Sequence, residues 1–135
     1  MKGKLNPNLK KQIAAIPDGA NIMNCYLCGT CTAGCPVAGL DSGYSPRRIM
    51  RMALLGMKEE LLSLEELWKC SQCGRCTSHC PQNARPAEVI KTIREIAVGE
   101  RFVPEDAIGR MADLENEIGM LRLEKLAVAF KQIEK

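Results

Sequence analysis

The residues of this chain best suited to chemistry are its eight cysteines, which fall into two runs of one pattern. The first run reads C-Y-L-C-G-T-C-T-A-G-C-P over residues 25–36, and the second reads C-S-Q-C-G-R-C-T-S-H-C-P over residues 70–81. Both fit C-x2-C-G-x-C-T-x2-C-P, lie 45 residues apart and together contain every cysteine of the chain. Cysteines at this density serve either metal binding or disulfide formation.

The spacing favours iron–sulfur clusters over the other uses of cysteine. Two residues between successive cysteines let a loop curl so that its sulfurs point inward around a compact [4Fe–4S] cube. A fourth cysteine followed by proline completes the bacterial ferredoxin pattern. Structural zinc is typically held by two C-x2-C pairs per ion, whereas each run here places four cysteines within eleven residues. A disulfide framework would require secretion, and the N-terminus shows no apolar signal segment.

The ferredoxin pattern also implies which thiols act together. In two-cluster ferredoxins, the fourth cysteine of each run ligates the cluster that the other run begins. Carried over to this chain, the pattern assigns one cluster to Cys25, Cys28, Cys31 and Cys80, and the other to Cys70, Cys73, Cys76 and Cys35. Such crossed ligation would tie the runs together, so that cluster insertion contributes folding free energy to a chain with few aromatic residues.

Composition narrows the class of protein. The 135 residues are 46% hydrophobic and 26% charged, as in folded globular domains. A formal net charge of +3 is too balanced to indicate nucleic-acid binding. Residues 19–40 carry no charge, but their cysteines and glycines are unlike a membrane helix. We therefore expect a cytoplasmic protein with no nucleic-acid partner and no direct membrane insertion.

Helix signals surround both runs. Asn6 precedes Pro7 at the start of a first predicted helix. Between the runs, Ser45 as the N-cap and Pro46 at the first position predict a helix that Gly56 ends. The sequence S-L-E-E from Ser63 has the form of a capping box and predicts another helix start.

Two more helices are predicted after the second run. One runs from Pro86 to Gly99 with an apolar face at Val89, Ile90, Ile93 and Ala97, and the other lies within residues 105–133. No segment alternates apolar and polar residues as a half-buried strand does. We therefore predict a mostly α fold.

Several residues outside the ligand sets have two interpretations each. Six basic residues either offset the negative charge of reduced clusters or point to solvent: Arg47, Arg48, Arg51, Lys69, Arg75 and Arg85. His79 is expected to be a bystander and Trp68 to pack in the core over a cluster. The apolar segment 49–57 fits either the core or a partner interface, and the heptad rhythm after residue 110 fits either internal docking or a partner helix.

The two runs and their flanks resemble the C subunit of heterodisulfide reductase. The resemblance is carried by the repeated cysteine pattern, by S-P-R-R-I-M-R-M at residues 45–52 and by L-W-K-C at residues 67–70. It covers roughly residues 5–103 and implies an α-helical ferredoxin domain with two [4Fe–4S] clusters between helices and loops, plus terminal helical arms. We accordingly divide the chain into residues 1–103, the cluster domain, and residues 104–135, a helical extension for partner docking.

What the resemblance implies is an electron-transfer subunit of anaerobic metabolism. Such a subunit relays single electrons between a flavin-containing iron–sulfur subunit, which can bifurcate electrons, and a catalytic subunit with C-C-G motifs. This chain has no Cys-Cys pair, no glycine-rich nucleotide motif and one histidine, so no catalytic residue is assigned to it. The alternatives are an iron–sulfur subunit of a quinone-linked or organic-acid dehydrogenase complex, and an iron–sulfur sensor or assembly module.

Overall fold

Proline at the first turn marks the start of several helices in this chain, because it lacks only an N–H that the helix would not use. A computed structural model describes residues 3–133, in which the chain is largely helical and contains no strand. This confirms the mostly α prediction. None of the helices in this described part is long and apolar enough to cross a bilayer.

Within that range the α-helices are α1 (Leu9–Ala14), α2 (Thr30–Ala33), α3 (Pro36–Leu40), α4 (Pro46–Leu55), α5 (Lys58–Leu62), α6 (Arg75–Ser78), α7 (Pro86–Gly99) and α8 (Ala107–Ile133). Short 3-10 helices occupy Pro17–Gly19, Ile22–Asn24 and Glu65–Lys69. The elements nearest the cysteines are therefore short, and the long helices lead away from the runs.

Helix α4 has the ends that the sequence predicts. The Ser45 side chain accepts a hydrogen bond from the Arg48 amide at 3.2 Å, and Gly56 closes the helix with a left-handed φ of +77°. The first helix begins later than predicted, at Leu9, because the Asn6 side chain accepts from the Asn8 amide at 3.0 Å and forms a turn there.

The capping box predicted at Ser63 is wrong. Ser63 follows the last residue of α5, and its hydroxyl donates a hydrogen bond to the Glu59 carbonyl oxygen at 2.7 Å. Because the side chain is engaged by the helix before it, it caps no helix after it. The next element, the 3-10 helix Glu65–Lys69, begins from Leu64 with no side-chain cap.

The core lies where α1, α4, α5 and α7 pack together. The predicted apolar face of α7 is fully buried, and so are Met50 and Ala53 of α4. This burial agrees with the core interpretation of the segment 49–57, in which Leu55 alone among the larger apolar side chains is about half exposed. The core thus holds the two helices that follow the cysteine runs in fixed positions.

Helix α8 differs from the others because it leaves most of its surface in solvent. Near its start, Ile108, Met111 and Ala112 approach α7 and Trp68. Beyond that point its large apolar side chains are exposed, namely Leu114, Ile118, Met120, Leu121, Leu123, Leu126, Val128, Phe130 and Ile133. The helix therefore presents an apolar surface that the rest of the described chain does not cover.

Gly56 allows a direct test of how α4 is joined to the N-terminal segment. An added Cβ would sit on a left-handed backbone and overlap the Asn6 carbonyl, and the Asn6 amide donates to the Gly56 carbonyl oxygen at 2.7 Å. We expect Gly56→Ala to destabilise the protein by about 2–4 kcal/mol through backbone strain and overlap. Anaerobic thermal melting followed by circular dichroism measures this.

The matched control is Gly99→Ala at the end of α7, where an added Cβ meets no atom within 4 Å. Because alanine favours a helix over glycine, its melting temperature should equal or slightly exceed that of the wild type. Equal losses in the two variants would contradict the role given to Gly56.

Candidate functional site

The two cysteine runs fold alike. In the first run Leu27 and Gly29 have φ angles of +61° and +91°, and the equivalent Gln72 and Gly74 of the second run have φ angles of +55° and +74°. In both runs a single-turn helix follows, α2 or α6, and these two helices contact each other. Glycine is favoured at the second position because left-handed backbone strains other residues.

The threonine shared by both runs anchors the helix that leads away from that run. Thr32 Oγ1 accepts a hydrogen bond from the Arg47 amide at 3.0 Å, in the first turn of α4. Thr77 Oγ1 accepts from the Ala87 amide at 3.2 Å, in the first turn of α7. Both bonds satisfy amides that a helix leaves unpaired at its N-terminus. The sequence contained this signal, since threonine follows the third cysteine in both runs, but its role was missed.

The eight thiols line two pockets. The first pocket is lined by Cys25, Cys28, Cys31 and Cys80. The second pocket is lined by Cys35, Cys70, Cys73 and Cys76. Each pocket thus draws three cysteines from one run and one from the other.

The N-termini of α4 and α7 lie between the two pockets. Of the first two residues of α4, Pro46 lines the second pocket and Arg47 the first. Of the first two residues of α7, Pro86 lines the first pocket and Ala87 the second. Because the N-terminus of a helix carries partial positive charge, this arrangement favours negative groups in both pockets.

Burial keeps several of the thiols protonated when no metal is bound. It raises the pKa of Cys76 to about 11, and it also raises the pKa values of Cys25 and Cys31. The exposed Cys28 differs, because a hydrogen bond with the Thr30 hydroxyl lowers the pKa of its thiol. A metal bound by these thiols must therefore displace protons, so binding would weaken as the pH falls.

Nitrogen donors lie beside two of the eight sulfur atoms. The Gln72 amide and side chain lie 3.4 and 3.3 Å from Cys70 Sγ, and the Ala84 amide lies 3.3 Å from Cys80 Sγ. Such contacts stabilise negative charge on sulfur and hold the ligand in place.

A buried arginine holds the entry to the second run, and sequence reasoning missed it. The Arg94 guanidinium donates to the Leu67 carbonyl oxygen at 3.0 Å and to the Cys70 carbonyl oxygen at 2.7 Å. It also lies 5.3 Å from the centre of the Trp68 ring, a cation–π distance. Burial lowers the pKa of Arg94, and the neighbouring Cys70 opposes that shift.

Tyr44 is a second buried residue that the sequence did not indicate. It lines the second pocket, and its hydroxyl has no hydrogen-bond partner among the described residues. Burial raises the pKa of its phenol, and the nearby Cys70 adds to the rise. The group therefore stays protonated and is available as a donor toward the pocket.

The basic residues named from the sequence divide into two groups. Arg47 lines the first pocket and Arg75 the second. Arg48, Lys69 and Arg85 form ion pairs with carboxylates, and Arg51 is exposed. His79 is exposed at the end of α6, and Trp68 packs against the core beside Cys70.

The donor set of each pocket fits a [4Fe–4S] cluster. Four thiols surround each pocket, one for each iron of a cube. The amides of Gln72 and Ala84 supply donors to the sulfur atoms of Cys70 and Cys80, and the Tyr44 hydroxyl lines the second pocket. In residues 3–133 no group of three or more His, Cys, Asp or Glu side chains is arranged to hold a single metal ion.

Comparison with known families agrees with this chemistry. Residues 21–84, which include both cysteine runs, match the profile of the 4Fe-4S dicluster domain. This part of the chain is similar to a 4Fe-4S dicluster domain. The expected cofactor, two [4Fe–4S] clusters, follows from this match.

The dicluster domain is similar to subunits of archaeal heterodisulfide reductases. The chain is 42% identical over 78 residues to the C2 subunit of the H2/formate:CoB-CoM heterodisulfide, ferredoxin reductase of Methanococcus maripaludis, a match of 58% of this chain and 41% of the relative. It is 34% identical over 102 residues to the C subunit of the H2:CoB-CoM heterodisulfide, ferredoxin reductase of Methanothermobacter thermautotrophicus, a match of 76% of this chain and 54% of the relative.

A third relative is the C subunit of the ferredoxin:CoB-CoM heterodisulfide reductase of Methanosarcina acetivorans, 36% identical over 91 residues, with 67% of this chain and 36% of the relative matched. These relatives confirm the resemblance to the C subunit of heterodisulfide reductase. The chain spans about half the length, or less, of the relatives it matches.

The threonine anchor of the dicluster domain can be tested at Thr77. Thr77→Val removes the acceptor of the Ala87 amide and the donor to Glu88 Oε2 at 2.5 Å, while keeping the side-chain shape. We expect a loss of about 0.5–2 kcal/mol, as for other helix N-terminal caps. Anaerobic thermal melting of the loaded protein measures the loss.

Ser78→Ala is the matched control, because Ser78 is exposed and its hydroxyl only donates to the Gly74 carbonyl oxygen of its own turn, at 3.3 Å. Its melting temperature should stay within about a degree or two of the wild type. If Thr77→Val were as stable as this control, the Thr77 hydrogen bonds would contribute nothing measurable to the stability of the protein.

Proposed function

We propose that this chain is an iron–sulfur electron-transfer subunit of a heterodisulfide reductase-type complex. It holds two [4Fe–4S] clusters and relays single electrons between a flavin-containing iron–sulfur subunit and a separate catalytic subunit with C-C-G motifs. Each cluster supplies one-electron redox chemistry when bound. The polypeptide supplies the ligands, the spacing between the two sites and the electrostatic environment of each.

The observation that carries the proposal is the composition of the two pockets. We assign one cluster to Cys25, Cys28, Cys31 and Cys80, and the other to Cys35, Cys70, Cys73 and Cys76, because these are the thiols that line each pocket. Two sites built on the same short helices, on either side of the N-termini of α4 and α7, suit transfer from one site to the next. Each also has one exposed cysteine, Cys28 or Cys73, where a partner can approach.

The names of the relatives favour this function over the alternatives. The three relatives are subunits of heterodisulfide reductases whose names also include ferredoxin, and none of the three is a quinone-linked or organic-acid dehydrogenase. These names therefore favour an electron-transfer subunit of a heterodisulfide reductase-type complex over a subunit of the other dehydrogenase complexes.

We further propose that residues 1–103 form the cluster domain and that residues 104–135 dock a partner protein. Helix α8 carries large apolar side chains in solvent, a pattern typical of a surface that another protein covers. Its first turns lie beside Trp68 and Cys70, next to the second pocket. A partner bound to α8 would therefore be held close to the second cluster.

The crossed ligation predicts which cluster each cysteine substitution disturbs. Cys80→Ser should disturb the cluster of Cys25, Cys28 and Cys31, although Cys80 belongs to the other run. Cys35→Ser should disturb the cluster of the second run in the same way. Iron and acid-labile sulfide analysis, with EPR after dithionite reduction of anaerobically purified protein, measures the outcome.

The wild type should contain about eight iron and eight sulfide atoms per chain and show two interacting reduced clusters. His79→Gln is the matched control, since His79 adjoins Cys80 but is exposed. Its iron content and spectra should be unchanged. Damage confined to the cluster of Cys70, Cys73 and Cys76 in Cys80→Ser would refute the crossed assignment. Zinc without labile sulfide in the wild type would refute electron transfer.

A further inference from the structure

Each pocket has one tyrosine beside it, and the two tyrosines differ in burial. Tyr26 lines the first pocket, where its hydroxyl interacts with the Cys28 thiol, and it is 59% exposed. Tyr44 lines the second pocket and is 1% exposed. The chain thus offers a phenol to each site, one in water and one in the interior.

The buried phenol makes no well-formed hydrogen bond within the described chain, and the Cys70 thiol is the polar group beside its hydroxyl. Polar hydroxyls in protein interiors are nearly always hydrogen-bonded, so an unpaired one in a pocket wall points to an acceptor in the pocket. The acceptors that belong there are sulfur atoms, either the Cys70 thiolate or the sulfide of a bound cluster. The exposed Tyr26 can instead bond to water.

A positive charge is also buried near the second pocket, beside Cys70. Arg94 is 8% exposed, binds the Cys70 carbonyl and forms no ion pair within the described residues, although Glu115 of α8 is near enough to affect its pKa. The arginine at the first pocket, Arg47, is exposed, so water and salt screen its charge. Arg75 at the second pocket is exposed as well. Of these three arginines, Arg94 is therefore the one whose charge acts through the protein interior.

Burial of the cysteine ligands lowers the reduction potential of a cluster, whereas a buried donor or cation raises it. The burial of the ligands differs little between the two sites. Water stabilises the extra negative charge of a reduced cluster, so a drier site has a lower reduction potential. Three of the four equivalent ligand pairs fall in the same exposure class, and only Cys76 is more buried than its counterpart Cys31. The backbone donors are also matched, with Gln72 at one site and Ala84 at the other. The buried phenol and the buried guanidinium have no such counterparts.

We propose that Tyr44 raises the reduction potential of the second cluster by donating a hydrogen bond to a sulfur atom of that site, with the Arg94 charge acting in the same sense. This inference rests on the proposed function. Reduction adds one electron and one negative charge to a site, and a buried donor and a buried cation both stabilise that charge. An electron that passed from the first cluster to the second would oxidise the first by one electron and reduce the second by one, while Tyr44 would keep its proton and donate it in a hydrogen bond. The electron then resides on the second site.

The test uses the full-length, cluster-loaded protein in an anaerobic redox titration followed by EPR. Cys28→Ser and Cys73→Ser, which change one exposed ligand at each site, identify which signal belongs to which cluster. In the wild type, the second cluster should be reduced at the higher potential. Tyr44→Phe should lower the equilibrium constant for reduction of the second cluster about tenfold, which is equivalent to about 59 mV for a one-electron step.

Tyr26→Phe is the comparison at the first cluster, because it removes a hydroxyl that interacts with Cys28 from a solvent-exposed position. The potential of the second cluster should be unchanged in this variant, and that of the first should fall by less than Tyr44→Phe lowers that of the second. Two intact clusters with unchanged potentials in Tyr44→Phe, or a second cluster reduced at the lower potential in the wild type, would overturn the inference. A wild type that lacks about eight iron and eight sulfide atoms would overturn the proposed function instead.

Discussion

Two hydroxyl groups connect the loops that carry the cysteines to the core of this protein. Thr32 and Thr77 follow the third cysteine of their runs and accept hydrogen bonds from the first turns of α4 and α7. Those helices are fixed by the packing of their apolar faces, which are buried. The threonines therefore connect the cysteine loops to the core through hydrogen bonds. Direct packing adds to this connection, because Cys25, Cys35, Cys70 and Cys80 lie against the core.

The repeat makes the two pockets alike, and the residues outside the repeat make them different. The left-handed residues, the single-turn helices and the threonine anchors recur 45 positions apart. Tyr44 lies in the loop before α4, and Arg94 lies on α7 two turns beyond its start, so neither belongs to the duplicated pattern. A pair of equivalent sites would share an electron evenly, whereas the difference that we attribute to Tyr44 and Arg94 would place it on the second site.

Local signals predicted most of the fold. Ser45, Pro46 and Gly56 define α4 by short-range rules, and the apolar spacing of α7 was sufficient to predict its buried face. Ser63 was misread because its hydroxyl had two possible backbone partners, and α5 before it took the bond. Arg94 and Tyr44 could not be identified as site residues, since their environments are formed by segments distant in sequence. The partner of Arg94 at Leu67, for example, is 27 residues away.

The crossed ligation that we propose has a consequence for the order in which the ligands become available during synthesis. Cys25, Cys28 and Cys31 leave the ribosome while Cys80 is still to be translated, and Cys35 must wait for the whole second run. Neither pocket is complete in a nascent chain that ends before the second run, so neither half has its full set of ligands by itself. In the crossed ligation that we propose, the full ligand set of either cluster is present only after Cys80 has been translated. A cut between the runs would therefore leave two fragments, each with three thiols for one cluster and one for the other.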